Sequence, residues 1–67
     1  MSNEEKLEAL VEVFENPAIK ADTRLDEIGW DSMAMLSVMA IARQNGKSIT
    51  GAQMREMVTI ADILAVL

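Results

Sequence analysis

Leu25-Asp26-Glu27-Ile28-Gly29-Trp30-Asp31-Ser32-Met33 joins a stretch without helical periodicity to one that is helical throughout. Gly29 permits a backbone turn that a side chain would resist. Asp31 and Ser32 then stand where a helix begins, and helix starts leave backbone N–H groups unpaired, so anions are favoured there. From these residues alone two readings stay open. One of the pair simply caps the helix, the commonest duty of such residues, or Ser32 bears a phosphate ester.

Downstream, the pattern predicts a helix from Ser32 to Gln44 or Asn45, with Leu36, Met39, Ala40 and Arg43 along one stripe and Met35, Val38 and Ile41 beside it. So wide an apolar band predicts a central helix touching several neighbours. Asn45-Gly46 supplies a left-handed stop, and Ile49 anchors the turn that follows. Thr50 to Met57 reads as one short helical turn or two, weakened by Gly51. Thr59 with Asp62 forms an N-cap pair ahead of Ile60, Ile63, Leu64 and Leu67, which share one face.

Upstream, Ser2 and Glu5 fit a capping box, and Glu4, Glu5 and Glu8 suit the positive end of a helix dipole. Leu7, Leu10, Val11 and Phe14 recur at the spacing of a buried helical face. Asn16-Pro17 ends that helix, because the residue before proline is pushed out of the helical region. Pro17 to Gly29 is expected to be a long loop pinned by Ile19, Leu25 and Ile28. A loop of that length in a small domain is usually functional or packed by its own side chains. The expectation is an all-α bundle of three principal helices and one short helix, a single domain over residues 1–67.

Composition narrows the function. A chain of 67 residues has room for one small core, burying only about 60% of its unfolded surface. The absence of Cys and His removes disulfides, thiol nucleophiles, the usual zinc sites and any imidazole base. No nucleophile-and-base pair can be assembled from what remains, so an enzyme is not expected. A net charge of −5 argues against nucleic acid, whose affinity rests on Lys and Arg neutralising phosphates. Residues 1–31 carry a net −6 and residues 32–67 a net +1. No apolar run approaches the ~18 residues that would span a bilayer. The acidic opening MSNEEKLEAL is unlike a secretory signal, so a cytoplasmic location is expected. No carboxylate spacing demands a metal. Arg43, Lys47 and Arg55 read as scattered solvated charges.

Taken together, these segments resemble an acyl carrier protein, the helical bundle that bears a 4′-phosphopantetheine arm on a serine. The family pattern of an apolar-acidic-x-apolar-Gly-x-Asp-Ser-Leu segment matches Leu25 to Ser32, with Met33 in place of the usual Leu. The likeness extends over almost the whole chain, through the acidic capped first helix, the long loop, Ile49, and Thr59-Ile60-Ala61-Asp62. Helix four is short, and a typical family member runs somewhat longer.

The resemblance implies that Ser32 is the attachment serine, loaded from coenzyme A by a separate phosphopantetheinyl transferase. It implies that Asp31 helps that transferase bind and its magnesium settle. The arm's thiol would hold acyl groups as thioesters for acyl-loading and acyl-processing enzymes of fatty-acid, polyketide or related biosynthesis, so the Cys-free chain needs no thiol of its own. Asp26, Glu27, Asp31, Trp30 and Met33 are the expected partner-contacting residues, on a protein expected to be monomeric. For Trp30 the alternative is that it covers the underside of the loop. Met39, Met54 and Met57 read as core filling. One departure stands out. Acids usual at two, five and eleven residues after the serine are here Ala34, Ser37 and Arg43, and no Asp or Glu occurs between Ser32 and Met54. Electrostatic steering by generic fatty-acid enzymes should be weakened, which suggests dedicated partners. An aminoacyl or peptidyl carrier, and an unmodified helical interaction module, remain as alternatives.

Overall fold

The computed structural model describes residues 2–67. Helix α1 spans Asn3–Phe14, α2 Ser32–Gln44, α3 Gly51–Arg55 and α4 Ile60–Val66, with a single 3-10 turn at Leu25–Glu27 inside the long first loop. Among the described residues there is no strand, only an isolated antiparallel bridge between Arg24 and Thr59. The small all-α bundle expected from the sequence is the one observed.

The starts of three helices are closed by their own side chains. At α1, Ser2 Oγ accepts from the Glu5 amide and Glu5 Oε1 accepts from the Ser2 amide, both at 3.2 Å. Thr50 and Gln53 exchange the same pair of bonds at α3, at 2.8 and 3.1 Å. Each box satisfies two donors that helix geometry orphans. A five-residue helix that contains Gly51 owes its existence to that box and to Met54, which is 1% exposed. At α4, Asp62 Oδ2 accepts from the amides of Val58 and Thr59 at 2.8 and 3.1 Å.

Helices α1 and α2 end alike. Asn16 N–H reaches the Val11 carbonyl at 3.2 Å, and Lys47 N–H reaches the Ala42 carbonyl at 2.8 Å. In both, the residue between lies in the left-handed region: Gly46 at φ 74° and Glu15 at φ 51°. That backbone is natural for glycine and strained for glutamate. Asn16-Pro17 therefore does not stop α1 alone; the backbone has already reversed at Glu15.

The core contains Leu10, Ile19, Leu25, Val38, Ala42, Ile49, Met54, Ile60, Ile63 and Leu67. No buried polar or charged side chain is found among the described residues. Every segment contributes, the loop through Ile19 and Leu25, with Ile28 packed at the margin. Helix α1 packs on α2 and on α4. The face of α2 expected to be buried needs correction. Ala34, Val38 and Ala42 point inward, flanked by Met35, Met39 and Ile41. Leu36, Ala40 and Arg43 are exposed. Two small residues on the inner stripe let α2 approach its neighbours closely, and that geometry turns the bulkier Leu36 out to solvent.

The long loop is tied to the start of α4. Leu25 N–H donates to the Val58 carbonyl at 2.8 Å, Ile60 N–H to Thr23 at 3.0 Å and Ala61 N–H to Ala21 at 2.8 Å. Two orphan amides of α4 are thus satisfied by loop carbonyls. This anchoring fixes the stretch that leads to Ser32.

Candidate functional site

Gly29, at φ 86°, turns the chain between the 3-10 segment and α2. Asp31 follows in extended conformation, and its amide donates to the Gly29 carbonyl at 3.0 Å. Asp31 Oδ1 then accepts from the Ala34 amide at 2.9 Å, while its backbone carbonyl accepts from Met35 at 3.0 Å. Asp31, not Ser32, is the cap. Ser32 is the first residue of a thirteen-residue helix and lies exposed, its hydroxyl not used in closing the helix. At that position the amides of Ser32 and Met33 have no intrahelical acceptor, so the hydroxyl sits beside the positive end of the α2 dipole. Met33 is 77% exposed and Leu36 63% exposed. Beside the serine, α2 therefore presents a bare apolar surface.

Trp30 braces this turn from beneath. Its indole N–H donates to the Met54 carbonyl of α3 at 3.1 Å. Its ring lies 6.1 Å from that of Phe14 on α1, tilted by 41°. The half-buried side chain thus connects three elements, and one edge lines a cleft of about 270 Å³ with Arg24, Leu25, Asp26, Met57 and Val58. Asp26 and Glu27 sit exposed on the 3-10 turn, which Leu25, 1% exposed, fastens to the core. Arg24 engages Asp26 through two contacts, at 3.2 and 3.1 Å. Its guanidinium, by hydrogen bond first and by charge second, holds the Asp26 carboxyl below the usual carboxylate range. Both side chains are more than half exposed, so solvent screens the pair. Arg24 nonetheless offsets part of the negative charge that Asp26, Glu27 and Asp31 bring to the stretch before α2.

The structure brings Asp31, Ser32 and Met33 together at the α2 start, sets Trp30 and Asp26 on a separate cleft, and leaves Glu27 outside both. A second groove, of about 470 Å³, opens next to Ser32 between α1 and α2, with Asp31 and Met33 on its lining. It was not legible in the sequence, because it depends on how the two helices pack. Among the described residues no group of three or more His, Cys, Asp or Glu is placed to hold a metal ion, and no helix is long and apolar enough to cross a membrane.

No curated protein and no solved structure matches this chain significantly. A family model does: that of the phosphopantetheine attachment site, over residues 5–67. An exposed hydroxyl, free of capping duty at the start of a long helix, suits the covalent attachment of a phosphate ester that such domains require. Since the match takes in all but the first four residues, the chain belongs to the phosphopantetheine attachment-site family, acyl-carrier-like domains whose members bear a covalently attached 4′-phosphopantetheine.

Proposed function

We propose that this chain is a non-catalytic carrier whose arm is attached at Ser32 and which presents acyl groups to separate enzymes of fatty-acid, polyketide or related specialised biosynthesis. The observation that carries the assignment of Ser32 is the division of labour at the helix start. Asp31 closes the helix through Ala34, and the neighbouring hydroxyl is left exposed. When bound, the arm supplies a terminal thiol that holds acyl groups as thioesters, chemistry this Cys-free chain has no side chain to perform.

The chain's own residues have three tasks. Ser32 Oγ would form the bond to the phosphorus of coenzyme A's pantetheine phosphate as that phosphorus's bond to the nucleotide phosphate oxygen breaks, the nucleotide 3′,5′-bisphosphate leaving and the hydroxyl proton passing to a base of the transferase. Asp31 holds the helix start in shape and offers its second carboxylate oxygen to the loading transferase and its magnesium. Met33 beside the serine, Asp26 with the exposed edge of Trp30 on the separate cleft, and Glu27 outside both are distinct contact points for the transferase and the acyl-processing enzymes. With no carboxylate on α2, docking relies on the apolar surface of Met33 and Leu36, so the partners are dedicated enzymes rather than a generic fatty-acid set.

The test is the intact mass of the purified protein after incubation with coenzyme A, magnesium and a broad-specificity phosphopantetheinyl transferase. One added phosphopantetheine is expected, and none on Ser32→Ala. Addition that persists in the variant would move the site elsewhere. No addition by this transferase, nor by one from the native host, would leave a helical binding module.

A further inference from the structure

All the sulfur in this chain is thioether, six Met and no Cys. Among the described residues Met54 is 1% exposed, and Met35, Met39 and Met57 are half-buried against the core. Met33 is the exception. At 77% it is the most exposed large hydrophobic residue described. Its backbone is held firmly nonetheless. Met33 is the second residue of α2, and its carbonyl accepts from the Ser37 hydroxyl at 3.1 Å. The thioether is therefore presented at a fixed place, next to Ser32 and on the lining of the groove between α1 and α2.

Exposure decides which thioether meets a dissolved hydroperoxide. The sulfur lone pair forms an S–O bond as the peroxide O–O bond breaks. Sulfur is oxidised by two electrons, and the reduced peroxide leaves as water once the hydroxyl proton has passed to the departing oxygen. The product is a polar, chiral sulfoxide in place of a flexible apolar side chain. Leu36, 63% exposed, stands one helical turn on, so Met33 is half of an apolar pair beside the serine. A sulfoxide there puts a strong acceptor where a docking enzyme must exclude water, and desolvating a polar group without a partner is unfavourable. The bundle itself tolerates the change, because Met33 lies outside the core.

We infer that Met33 is a peroxide-reactive modification site: its oxidation to the sulfoxide in the unloaded protein slows the loading of Ser32, and reduction restores it. This rests on attachment at Ser32. The unloaded protein is the state that matters, since the thiol of an attached arm would itself take the oxidant. Leu, usual at this position in the family pattern, has no such chemistry.

Loading at Ser32 is first verified on untreated protein by mass and fragmentation. The unloaded protein is then exposed to dilute hydrogen peroxide, which catalase removes before coenzyme A, magnesium and transferase are added. Fragment masses should place one added oxygen on Met33 before Met35, Met39, Met54 or Met57. The loading rate should fall roughly tenfold, equivalent to ~1.4 kcal/mol, with the circular dichroism spectrum unchanged. Methionine sulfoxide reductases for both epimers, with dithiothreitol, should restore the rate. Met33→Leu, compared with its own untreated rate, should lose nothing on peroxide treatment. Oxygen appearing first on another of these methionines would overturn the inference. So would unchanged loading of Met33-oxidised protein, an equal loss in Met33→Leu, or a loss of helicity that accounts for the slower rate. All four leave the carrier function intact. Failure of the untreated protein to load at Ser32, read before any peroxide is added, would overturn the carrier reading and the inference with it.

Discussion

Asp31 serves two purposes that substitution can separate. Its carboxylate closes α2 through the Ala34 amide at 2.9 Å, and it stands beside the serine that is to be modified. Asp31→Ala removes the only side-chain cap of the longest helix. Such a loss costs about 1 kcal/mol. Asn caps as well as Asp, so Asp31→Asn retains the bond and forfeits only the charge at the dipole, about 0.3 kcal/mol at an exposed site. A domain of 67 residues has a total stability of about 3–10 kcal/mol, at ~0.05–0.15 kcal/mol per residue. With a urea m-value near 1 kcal/mol/M, the Ala variant's midpoint should fall by about 1 M and the Asn variant's by about a third of that. Urea titration followed by circular dichroism at 222 nm measures both. The loading rate by a phosphopantetheinyl transferase, from intact mass against time, should fall in both variants, because each lacks the carboxylate. If Asn costs as much stability as Ala, or Ala costs less than about 0.3 kcal/mol, the assignment of the cap is wrong. Full-rate loading of a folded Asn variant would remove Asp31 from transferase recognition.

Other residues give independent checks. Trp30→Phe retains a ring against Phe14 but loses the bond to Met54, whose carbonyl still accepts from Met57. A cost of about 1 kcal/mol is expected, read as a fall of roughly 4–8 °C in Tm; an unchanged Tm would mean the indole bond contributes little. Glu15→Gly should stabilise the protein by about 0.5–1 kcal/mol, because the left-handed backbone at φ 51° is relieved by more than glycine's added chain entropy costs; a lower midpoint in urea would contradict this. The Asp62 carboxyl is held below its usual range, first by the Val58 amide and then by the Thr59 amide. Its contribution to stability is therefore complete above the unfolded-state pKa of ~3.9 and is lost as pH falls through the lower folded value. Asp62→Ala should flatten the acid limb of Tm against pH below about 4, and an acid limb identical to that of the parent would exclude Asp62 from it.

Much of the bundle was legible because its signals are local. The boxes at Ser2 and Thr59, the glycine reversal at Gly46 and the apolar periodicity of α1 and α4 each depend on residues within one or two turns of one another. The box at Thr50 was equally local, in the Thr-x-x-Gln pattern, but Gly51 and the shortness of the segment obscured it. At α2 the periodicity misled. Nearly every position there is apolar, so hydropathy could not distinguish the stripe of Ala34, Val38 and Ala42 from the bulkier Leu36, and only close approach of the helices selects the smaller residues.

The same division holds at the site. The sequence by itself determined that a helix begins at Asp31-Ser32 after a turn at Gly29, since turn and helix start are properties of adjacent residues. Tertiary structure decided the rest. It gave the cap to Asp31 and left the Ser32 hydroxyl exposed, where either residue could have served. It drew Trp30 under the turn through a carbonyl 24 positions away and opened a groove between α1 and α2. Such features depend on packing between segments distant in sequence, and local pattern carries no record of which side chains will meet.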